Sequence, residues 1–214
     1  MKTNGIIVAA GLSSRMKAFK PLLKLKEKTI IEYSIDSMLN AGVNQIVVVL
    51  GFNAEEVETL LRNKYDCSQL TFIYNEKYAE TDMLASVKLG VLALDNCDAF
   101  YLLPGDMPAI ETKTFLMVKD SISRTGAMVA FPTINGQRKH PPLISWKCID
   151  FIINFHGDGG LRELWNQLDD QIVTVPVEDF GCTIDADTKE DYNRLVHYMD
   201  EKNWDFNILK LDFK

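Results

Sequence analysis

The strongest constraint on the fold is a regular alternation between short, largely apolar runs and longer amphipathic stretches. The apolar runs within the first 132 residues are GIIVAA, QIVVVL, LTFIYN, AFYLL and AMVAFP. Such runs predict strands that are covered on both faces, and the stretches between them repeat apolar residues with a helical period. Strands and helices that alternate at these lengths predict right-handed βαβ units. The expected result is a mostly parallel sheet with helices on both faces.

The pattern loosens after Pro132. TINGQRKHPPLISW predicts a loop or hairpin, and two short helices at about 147–154 and 158–168, strand QIVTVPV and a last helix at about 189–200 are predicted after it. The final stretch, NWDFNILKLDFK, alternates apolar and polar residues and predicts an added edge strand. A chain of 214 residues with this pattern is expected to form one domain.

The composition narrows the class of partner and the compartment. A net charge of −7 argues against a protein that coats nucleic acid or lies on a membrane, so an anionic ligand needs a local cationic patch. No apolar run approaches the roughly 18 residues of a membrane span, and no signal peptide is recognised, so we expect a cytoplasmic location. The cysteines are widely separated, and we expect buried or incidental thiols at Cys67, Cys97, Cys148 and Cys182.

Polar turns follow several of the predicted strands. AAGLSSR, NEKYAETD, LPGDMP and TINGQRKHP each come directly after an apolar run. In open α/β sheets, ligands bind at the carboxyl ends of the strands, and these ends share one edge. The four turns are therefore expected to meet in space and to form an active cleft.

The first of these turns has the features of an anion-binding loop. Gly11 stands alone, so the loop matches neither the GxxxxGK[ST] nor the GxGxxG fingerprint, but a glycine still allows close approach of a ligand. Backbone amides, a bidentate arginine and mobile lysines all suit phosphate oxygens. An ordinary strand-to-helix turn with solvated basic residues fits the same spacing. The candidate groups are the amides of Leu12, Ser13 and Ser14 and the side chains of Arg15, Lys17, Lys20 and Lys24.

Two acidic turns provide candidate ligands for a magnesium ion. Asp106 follows a buried strand at the predicted edge, where a carboxylate can hold Mg²⁺ against phosphate oxygens. A turn aspartate that accepts bonds from backbone amides is the alternative. Asp185 and Asp187 alternate in IDADTKED and so share one side of an extended segment. Asp187 or Thr188 also fits the N-cap of the last helix. Capping is favoured for Asp187, which leaves Asp185 as the better ligand.

Together these motifs resemble those of the MobA-like nucleotidyltransferases, the family of the molybdenum cofactor guanylyl- and cytidylyltransferases. The opening signature of that family is approximately A-A-G-x-S-x-R-M-G-x-x-K-x-L. The resemblance continues in NEKYAETDMLASVKLGVLAL, GDMP, HPPLIS and IDADTKEDY, and it covers roughly residues 4–198. The GDMP and HP segments are most similar to the cytidylyltransferase branch. The residues in register with the opening signature are Ala9, Ala10, Gly11, Ser13, Arg15, Met16, Lys20 and Leu22.

The resemblance implies a three-layer α/β/α sandwich with a mostly parallel, mixed sheet, Rossmann-like and of the nucleotide-diphospho-sugar transferase type. It divides the single domain, residues 1–214, into a nucleotide-binding part (1–132), an acceptor-binding part (133–200) and a C-terminal tail (201–214). The implied catalytic residues are Arg15, Lys20 and Asp106, and the implied metal ligands are Asp106 and Asp185. The implied nucleotide-binding residues are Ala9, Ala10, Gly11, Leu12, Ser13, Arg15, Lys20, Asn75 and Ser86, and the acceptor-binding residues are His140 and Pro141.

The chain departs from the family pattern at two positions. Lys17 replaces the usual glycine after Arg-Met, and Lys139 replaces the glycine before His-Pro. The first change affects the expected shape of the opening loop. The second affects the expected identity of the acceptor.

The implied activity is magnesium-dependent transfer of CMP from CTP, favoured over GMP from GTP, to the terminal phosphate of molybdopterin, with release of pyrophosphate. One alternative is transfer to a sugar phosphate or another small phosphate monoester. A second is a non-catalytic protein that binds or inserts the molybdenum cofactor. The expected partners are the nucleotide, a phosphate-bearing acceptor and, transiently, a molybdoenzyme or its chaperone. Nucleic acid and membranes are not expected partners.

Overall fold

The protein forms a mixed sheet between two layers of helices. The computed structural model describes residues 1–12 and 18–211, with side chains as far as Glu201. Within this part, eight strands form one sheet in the order β10-β7-β9-β6-β1-β4-β5, with β8 paired to β7. These strands are β1 (Thr3–Ala9), β4 (Ile46–Leu50), β5 (Leu70–Tyr74), β6 (Ala99–Pro104), β7 (Val129–Ile134), β8 (Gln137–Arg138), β9 (Leu143–Ser145) and β10 (Ile172–Pro176).

Strand directions give the sheet its mixed character. The strand β1 is parallel to both β4 and β6, β4 is parallel to β5, and β7 is parallel to β10. Only β8 and β9 run antiparallel to their neighbours among the strands of this sheet in the described residues. A separate antiparallel pair is formed by β2 (Lys24–Leu25) and β3 (Lys28–Thr29). The predicted mostly parallel, mixed sheet is confirmed.

Alternate residues of the central strands fill two separate cores. Ile7 and Val48 pack with Ile35 and Phe115 on one face, whereas Ile6 packs with residues of α3, α5 and α6 on the other. The three-layer sandwich is therefore also confirmed. No helix in the described part of the chain combines the length and the apolarity needed to cross a membrane. The helices are α1 (Ile30–Asn40), α2 (Ala54–Arg62), α3 (Met83–Leu92), α4 (Thr112–Thr125), α5 (Ile149–Asn154), α6 (Gly160–Gln167) and α7 (Lys189–Leu211).

The C-terminal segment differs from its prediction. Helix α7 continues to Leu211, so the edge strand predicted for the final stretch is wrong over residues 203–211, and residues 212–214 lie outside the described part. Alternation of apolar and polar residues over a short stretch is compatible with either structure. Here helical backbone hydrogen bonds continue from the preceding turns of α7, and this continuation overrides the local alternation.

The cysteines are free, as expected for thiols without a structural bridge. Cys97, Cys148 and Cys182 are buried and Cys67 is exposed. Burial raises the pKa of Cys97 to about 11 and that of Cys148 to about 12. These two thiols are therefore protonated at neutral pH and serve as small apolar side chains.

The first turn of helix α1 contains a buried carboxylate, that of Glu32, which accepts hydrogen bonds from two separate segments of the chain. Both the backbone N–H and the hydroxyl of Thr29 donate to Oε2 of Glu32, at 2.7 and 2.6 Å, and Lys64 Nζ donates to Oε1 at 2.6 Å. Burial alone would raise the pKa of Glu32, but the bonds from Lys64 and Thr29 outweigh this effect and lower it. Glu32 thus satisfies the first turn of α1 and ties it to the end of α2.

We predict that Glu32→Gln lowers the free energy of unfolding by about 1–3 kcal/mol at neutral pH, because an amide cannot accept all three charge-assisted bonds. A lowered pKa in the folded state stabilises the protein above the unfolded-state pKa, and this contribution disappears as the pH falls through the folded-state value. The difference between wild type and variant should therefore shrink below about pH 4.3, the ordinary range of a glutamate.

Urea unfolding at pH 7, 5 and 3.5 measures this difference. The control is Glu27→Gln, which removes an exposed carboxylate close in sequence and should change stability little. A Glu32→Gln variant as stable as wild type at pH 7, or a difference that is constant with pH, would contradict the assignment.

Candidate active site

A cleft opens where β1, β5 and β6 end. Its volume is about 270 Å³, and one wall is formed by the last residues of β1 and the turn after it. The opposite walls come from the turn after β6 and from the start of α3. The lining residues are Val8, Ala9, Ala10, Gly11, Lys20, Pro21, Tyr78, Thr81, Asp82, Met83, Ser86, Pro104, Gly105 and Asp106. Three of the four turns predicted to share this edge, those after β1, β5 and β6, therefore meet in the cleft.

Lys20 carries the positive charge of the described part of the cleft. It begins a single 3-10 turn, Lys20–Leu22, with Pro21 at the start of the turn, and its side chain is buried. Nζ lies 3.0 Å from Oδ2 of Asp106 and also donates a hydrogen bond to Oδ1 of Asp187. Burial would lower the pKa of Lys20, but the bonds to Asp187 and Asp106 outweigh it and raise the pKa. The ammonium is thus held protonated at neutral pH.

The carboxylates come from two turns that are far apart in the chain. Asp106 lies in the turn after β6, and its carbonyl oxygen accepts a 3.3 Å hydrogen bond from the backbone N–H of Ala186, in the acidic turn before α7. Partial desolvation, together with the charges of Asp187 and Asp106, raises the pKa of Asp185. Among the described residues, no three histidine, cysteine or acidic side chains converge as a complete metal site.

The cap of α7 corrects one prediction. Thr188, and not Asp187, caps the helix: its hydroxyl accepts from Asp191 N at 3.1 Å, and its own N–H and hydroxyl donate to Asp191 Oδ2 at 3.1 and 2.6 Å. Asp187 points instead to Lys20. The prediction of a capping role for Asp187 is therefore wrong, because Thr188 with an acid three residues later makes a reciprocal capping box and releases the aspartate.

Asn75 supports the cleft without lining it. It is buried, and its Nδ2 donates to Thr81 Oγ1 and to Ser86 Oγ, both at 3.0 Å. Its Oδ1 accepts from the backbone N–H of Lys77 at 3.0 Å. Ser86 and Thr81 both line the cleft. Asn75 thus holds two hydroxyl groups at the wall. The resemblance assigned both Asn75 and Ser86 to the nucleotide, and of this pair only Ser86 lines the cleft.

The opening loop is described only in part. Ala9, Ala10 and Gly11 line the cleft, and a Cβ added at Gly11 would meet no atom within 4 Å, so there is open space beside this backbone. Leu12 is exposed and is not among the lining residues. Ser13, Ser14, Arg15, Met16 and Lys17 lie outside the described residues. Lys24 is exposed in β2 and does not line the cleft.

His140 and Pro141 lie beside the cleft, outside its lining. His140 is half-buried, with Nδ1 3.4 Å from the carbonyl oxygen of Leu102 in β6, and Pro141 is buried. Burial lowers the pKa of His140 in spite of the opposing effects of the Leu102 carbonyl and Asp106. The imidazole is therefore neutral at pH 7, which does not suit a cationic contact to phosphate.

Sequence reasoning singled out the turn after β5 and its first residue, Asn75, but not Tyr78, Thr81 or Asp82, which line the cleft. Tyr78 reaches the cleft because Gly51 has no side chain: a Cβ there would come within 2.6 Å of both Tyr78 Cβ and the carbonyl oxygen of Ala10. Asp82 caps α3 through a 3.1 Å hydrogen bond that Oδ1 accepts from Ala85 N. The available signal was an aspartate placed directly before an apolar helix at the carboxyl edge of the sheet.

Several known proteins resemble this chain in sequence or in fold. The chain is 33% identical, over 187 residues, to the molybdenum cofactor cytidylyltransferase of Escherichia coli, an alignment that covers 87% of this chain and 92% of that protein. It is 32% identical over 137 residues to the choline-phosphate cytidylyltransferase of Haemophilus influenzae, covering 62% of this chain and 55% of that one. The crystal structure of Rv0371c from Mycobacterium tuberculosis superposes with a TM-score of 0.78 at 22% identity, covering 92% and 98% of the two chains.

The last of these likenesses shows the fold alone, whereas the first covers most of both chains. A family model described as a MobA-like NTP transferase domain matches residues 5–172, which include most of β1, the turns that line the cleft, and β9. The chain therefore belongs to the nucleotidyltransferase family that has a MobA-like NTP transferase domain.

Proposed function

We propose that this protein transfers CMP from CTP to the terminal phosphate of molybdopterin and releases pyrophosphate. The observation that carries the proposal is the association of the Lys20 ammonium with Asp106 and Asp187, beside Asp185, at the end of a cleft formed by the carboxyl ends of the strands. Similarity to a molybdenum cofactor cytidylyltransferase over most of both chains supports this choice of base and acceptor.

Charge neutralisation is the main task of such a site. The reaction brings a phosphate monoester against a triphosphate, and both substrates are anions. The protonated Lys20 lies where it can offset part of this charge, and the Ala9–Gly11 backbone borders open space that a ligand can enter. By the family signature, Arg15 would add a bidentate contact to the triphosphate.

The donor set fits a magnesium ion. Asp106 and Asp185 would hold it, because carboxylate oxygens are the ligands that Mg²⁺ prefers and a cation relieves the repulsion between the two carboxylates. Protein sites commonly supply Mg²⁺ with one or two carboxylates and leave the remaining positions to substrate phosphates and water. When bound, the ion would polarise the phosphate oxygens and neutralise charge on the leaving pyrophosphate.

The chemical step requires no general base. A phosphate oxygen of the acceptor forms a bond to the α-phosphorus of CTP while the bond from that phosphorus to the bridging oxygen of pyrophosphate breaks. A phosphate monoester is already largely ionised at pH 7, since its second pKa is about 6. The neutral, half-buried His140 is consistent with this scheme. The chain's contribution is therefore to position two anions in line and to neutralise their charge.

A second candidate is transfer of CMP to a small phosphate monoester other than molybdopterin. The similarity to a choline-phosphate cytidylyltransferase, and Lys139 in place of the glycine usual before His-Pro, favour this candidate. It uses the same phosphate end of the cleft and differs only in the group that lies behind the attacking phosphate.

We predict that Asp106→Asn lowers kcat for pyrophosphate release by at least about 100-fold, because it removes a proposed ligand of the ion. Lys20→Met should lower kcat/KM by a similar factor, because it removes a positive charge that offsets the phosphates. A coupled pyrophosphate assay with added MgCl₂ measures both values. Thermal unfolding should be recorded in parallel, because Lys20→Met leaves Asp106 and Asp187 without their shared counter-ion and Asp106→Asn removes one of the two partners of Lys20.

Matched controls are Asp150→Asn and Lys147→Met, which remove exposed charges far from the lining of the cleft. Both should keep kcat within about twofold of wild type, in line with surface substitutions elsewhere. Near-normal turnover of a folded Asp106→Asn variant would rule out its assignment as a metal ligand.

We further expect CTP with molybdopterin to release pyrophosphate faster than any other pairing of the four nucleoside triphosphates with molybdopterin, phosphocholine and a hexose 1-phosphate. The physical reason is that an enzyme selects between acceptors through contacts that stabilise the transition state, so the acceptor that the cleft fits best reacts fastest. Faster turnover of phosphocholine or of the sugar phosphate would establish the second candidate. Tight binding of the cofactor with no turnover of any nucleotide would establish the non-catalytic alternative.

A further inference from the structure

We propose that Asp82 determines the nucleobase: its carboxylate accepts a hydrogen bond from the exocyclic amine of cytosine and thereby disfavours uracil. The inference rests on the proposed function, since it concerns the nucleotide that would occupy the same cleft. Neither the family signature nor the sequence motifs assigned a role to this residue, which was visible only as part of the turn NEKYAETD.

The orientation of the Asp82 side chain is set by its surroundings. Oδ1 accepts the 3.1 Å hydrogen bond from Ala85 N that caps α3. Oδ2 lies over the backbone of Gly160 at the start of α6, where an added Cβ would be only 2.7 Å from it. One carboxylate oxygen is thus committed to the helix, and the other remains for a ligand at the wall of the cleft.

The charges of the cleft give the nucleotide a direction. Lys20 and Asp106 mark one end, whereas Asp82 lies at the wall contributed by α3. Among the described side chains, no lysine, arginine or histidine forms an ion pair with Asp82. A polyphosphate against an unpaired carboxylate would be strongly repelled. At the other end, Lys20 and the magnesium ion that Asp106 would hold offset the negative charge of the phosphates. The triphosphate therefore belongs there, and the uncharged base belongs beside Asp82.

The polar groups beside the base match cytosine. Ser86 lies four residues after Asp82 and so shares its side of α3. Ser86 Oγ accepts a hydrogen bond from Asn75 Nδ2 at 3.0 Å, which leaves its own proton to donate. Cytosine presents an amine donor at position 4 next to the acceptor N3. Uracil presents a carbonyl acceptor at position 4 next to an N3–H donor. An acceptor at Asp82 with a donor at Ser86 complements cytosine and opposes uracil.

Because Oδ1 of Asp82 already accepts the hydrogen bond that caps α3, the carboxylate is also poorly suited to bind guanine. The edge of guanine offers two neighbouring donors, N1–H and the 2-amino group, and these are best met by both oxygens of one carboxylate. Only one oxygen of Asp82 is free of the cap. A single acceptor suits the single exocyclic amine of cytosine.

The test is Asp82→Asn, with CTP, UTP and GTP titrated calorimetrically into the full chain in the presence of Mg²⁺. Asparagine caps helices about as well as aspartate, so α3 should be retained. Its amide can, however, rotate to donate to the 4-carbonyl of uracil. The wild type should bind CTP at least about tenfold more tightly than UTP, because uracil would place its 4-carbonyl oxygen against the Asp82 carboxylate and its N3–H against the Ser86 donor.

In Asp82→Asn we expect this preference to fall to about threefold or less, with a gain in affinity for UTP. If the role of Asp82 were purely structural, the substitution would lower the affinity for CTP and UTP together and would not raise the affinity for UTP. The control is Glu80→Gln, which removes an exposed charge from the same turn outside the lining of the cleft and should retain the wild-type ratio.

Three results would overturn the inference: equal affinity of the wild type for CTP and UTP, an unchanged ratio in a folded Asp82→Asn variant, or tighter binding of GTP than of CTP. Each of these leaves nucleotide binding, and with it nucleotidyl transfer at this cleft, in place, although the third would replace CTP by GTP as the nucleotide of the proposed function. Absence of binding of any nucleotide to the wild type would overturn the proposed function itself.

Discussion

The cleft depends on one buried ammonium group, that of Lys20, which holds two carboxylates from remote parts of the chain. Its partners Asp106 and Asp187 are 86 and 167 residues away in sequence. Without this cation the three aspartates of the two acidic turns would repel one another at close range. The same interaction therefore brings the segment before α7 against the central strands and concentrates charge where a polyphosphate and a divalent ion would bind.

The rest of the architecture keeps the other wall of the cleft in position. Helix α3 packs tightly on the sheet through Gly90, where an added Cβ would come 2.7 Å from Ile6 Cγ2. The buried Asn75 then joins the end of β5 to the first turn of α3 through Ser86 and Thr81. Because these contacts are buried and mutually satisfied, the hydroxyl and carboxylate groups of α3 face the ammonium across a cleft with fixed walls. The site thus has the Lys20 ammonium and the proposed ion site at one end and Asp82 at the other, and this arrangement would give a bound nucleotide its direction.

Much of the fold could be predicted because local and tertiary preferences agree. The central strands are continuous apolar runs, and Thr29 and Asp82 lie at the helix starts, where such residues are favoured. The position of the cleft could also be predicted, because ligands of open α/β sheets bind at the carboxyl ends of the strands. The tail could not be predicted, since its alternation suited a strand while α7 propagated through it. The cap of α7 was predictable in part: Thr188 and Asp191 have the spacing of a capping box, whereas the pairing of Asp187 with Lys20, 167 residues away, is a tertiary contact that the local sequence does not show.

A structure of the protein with a non-hydrolysable CTP analogue and Mg²⁺ tests the central claim most directly. The account predicts phosphate oxygens within hydrogen-bonding distance of Lys20 Nζ, about 2.7–3.2 Å, and an ion about 2.0–2.1 Å from a carboxylate oxygen of Asp106. The cytosine ring would lie toward α3. A nucleotide bound outside this cleft, or one whose phosphates lie against α3 and away from Lys20, would contradict the account.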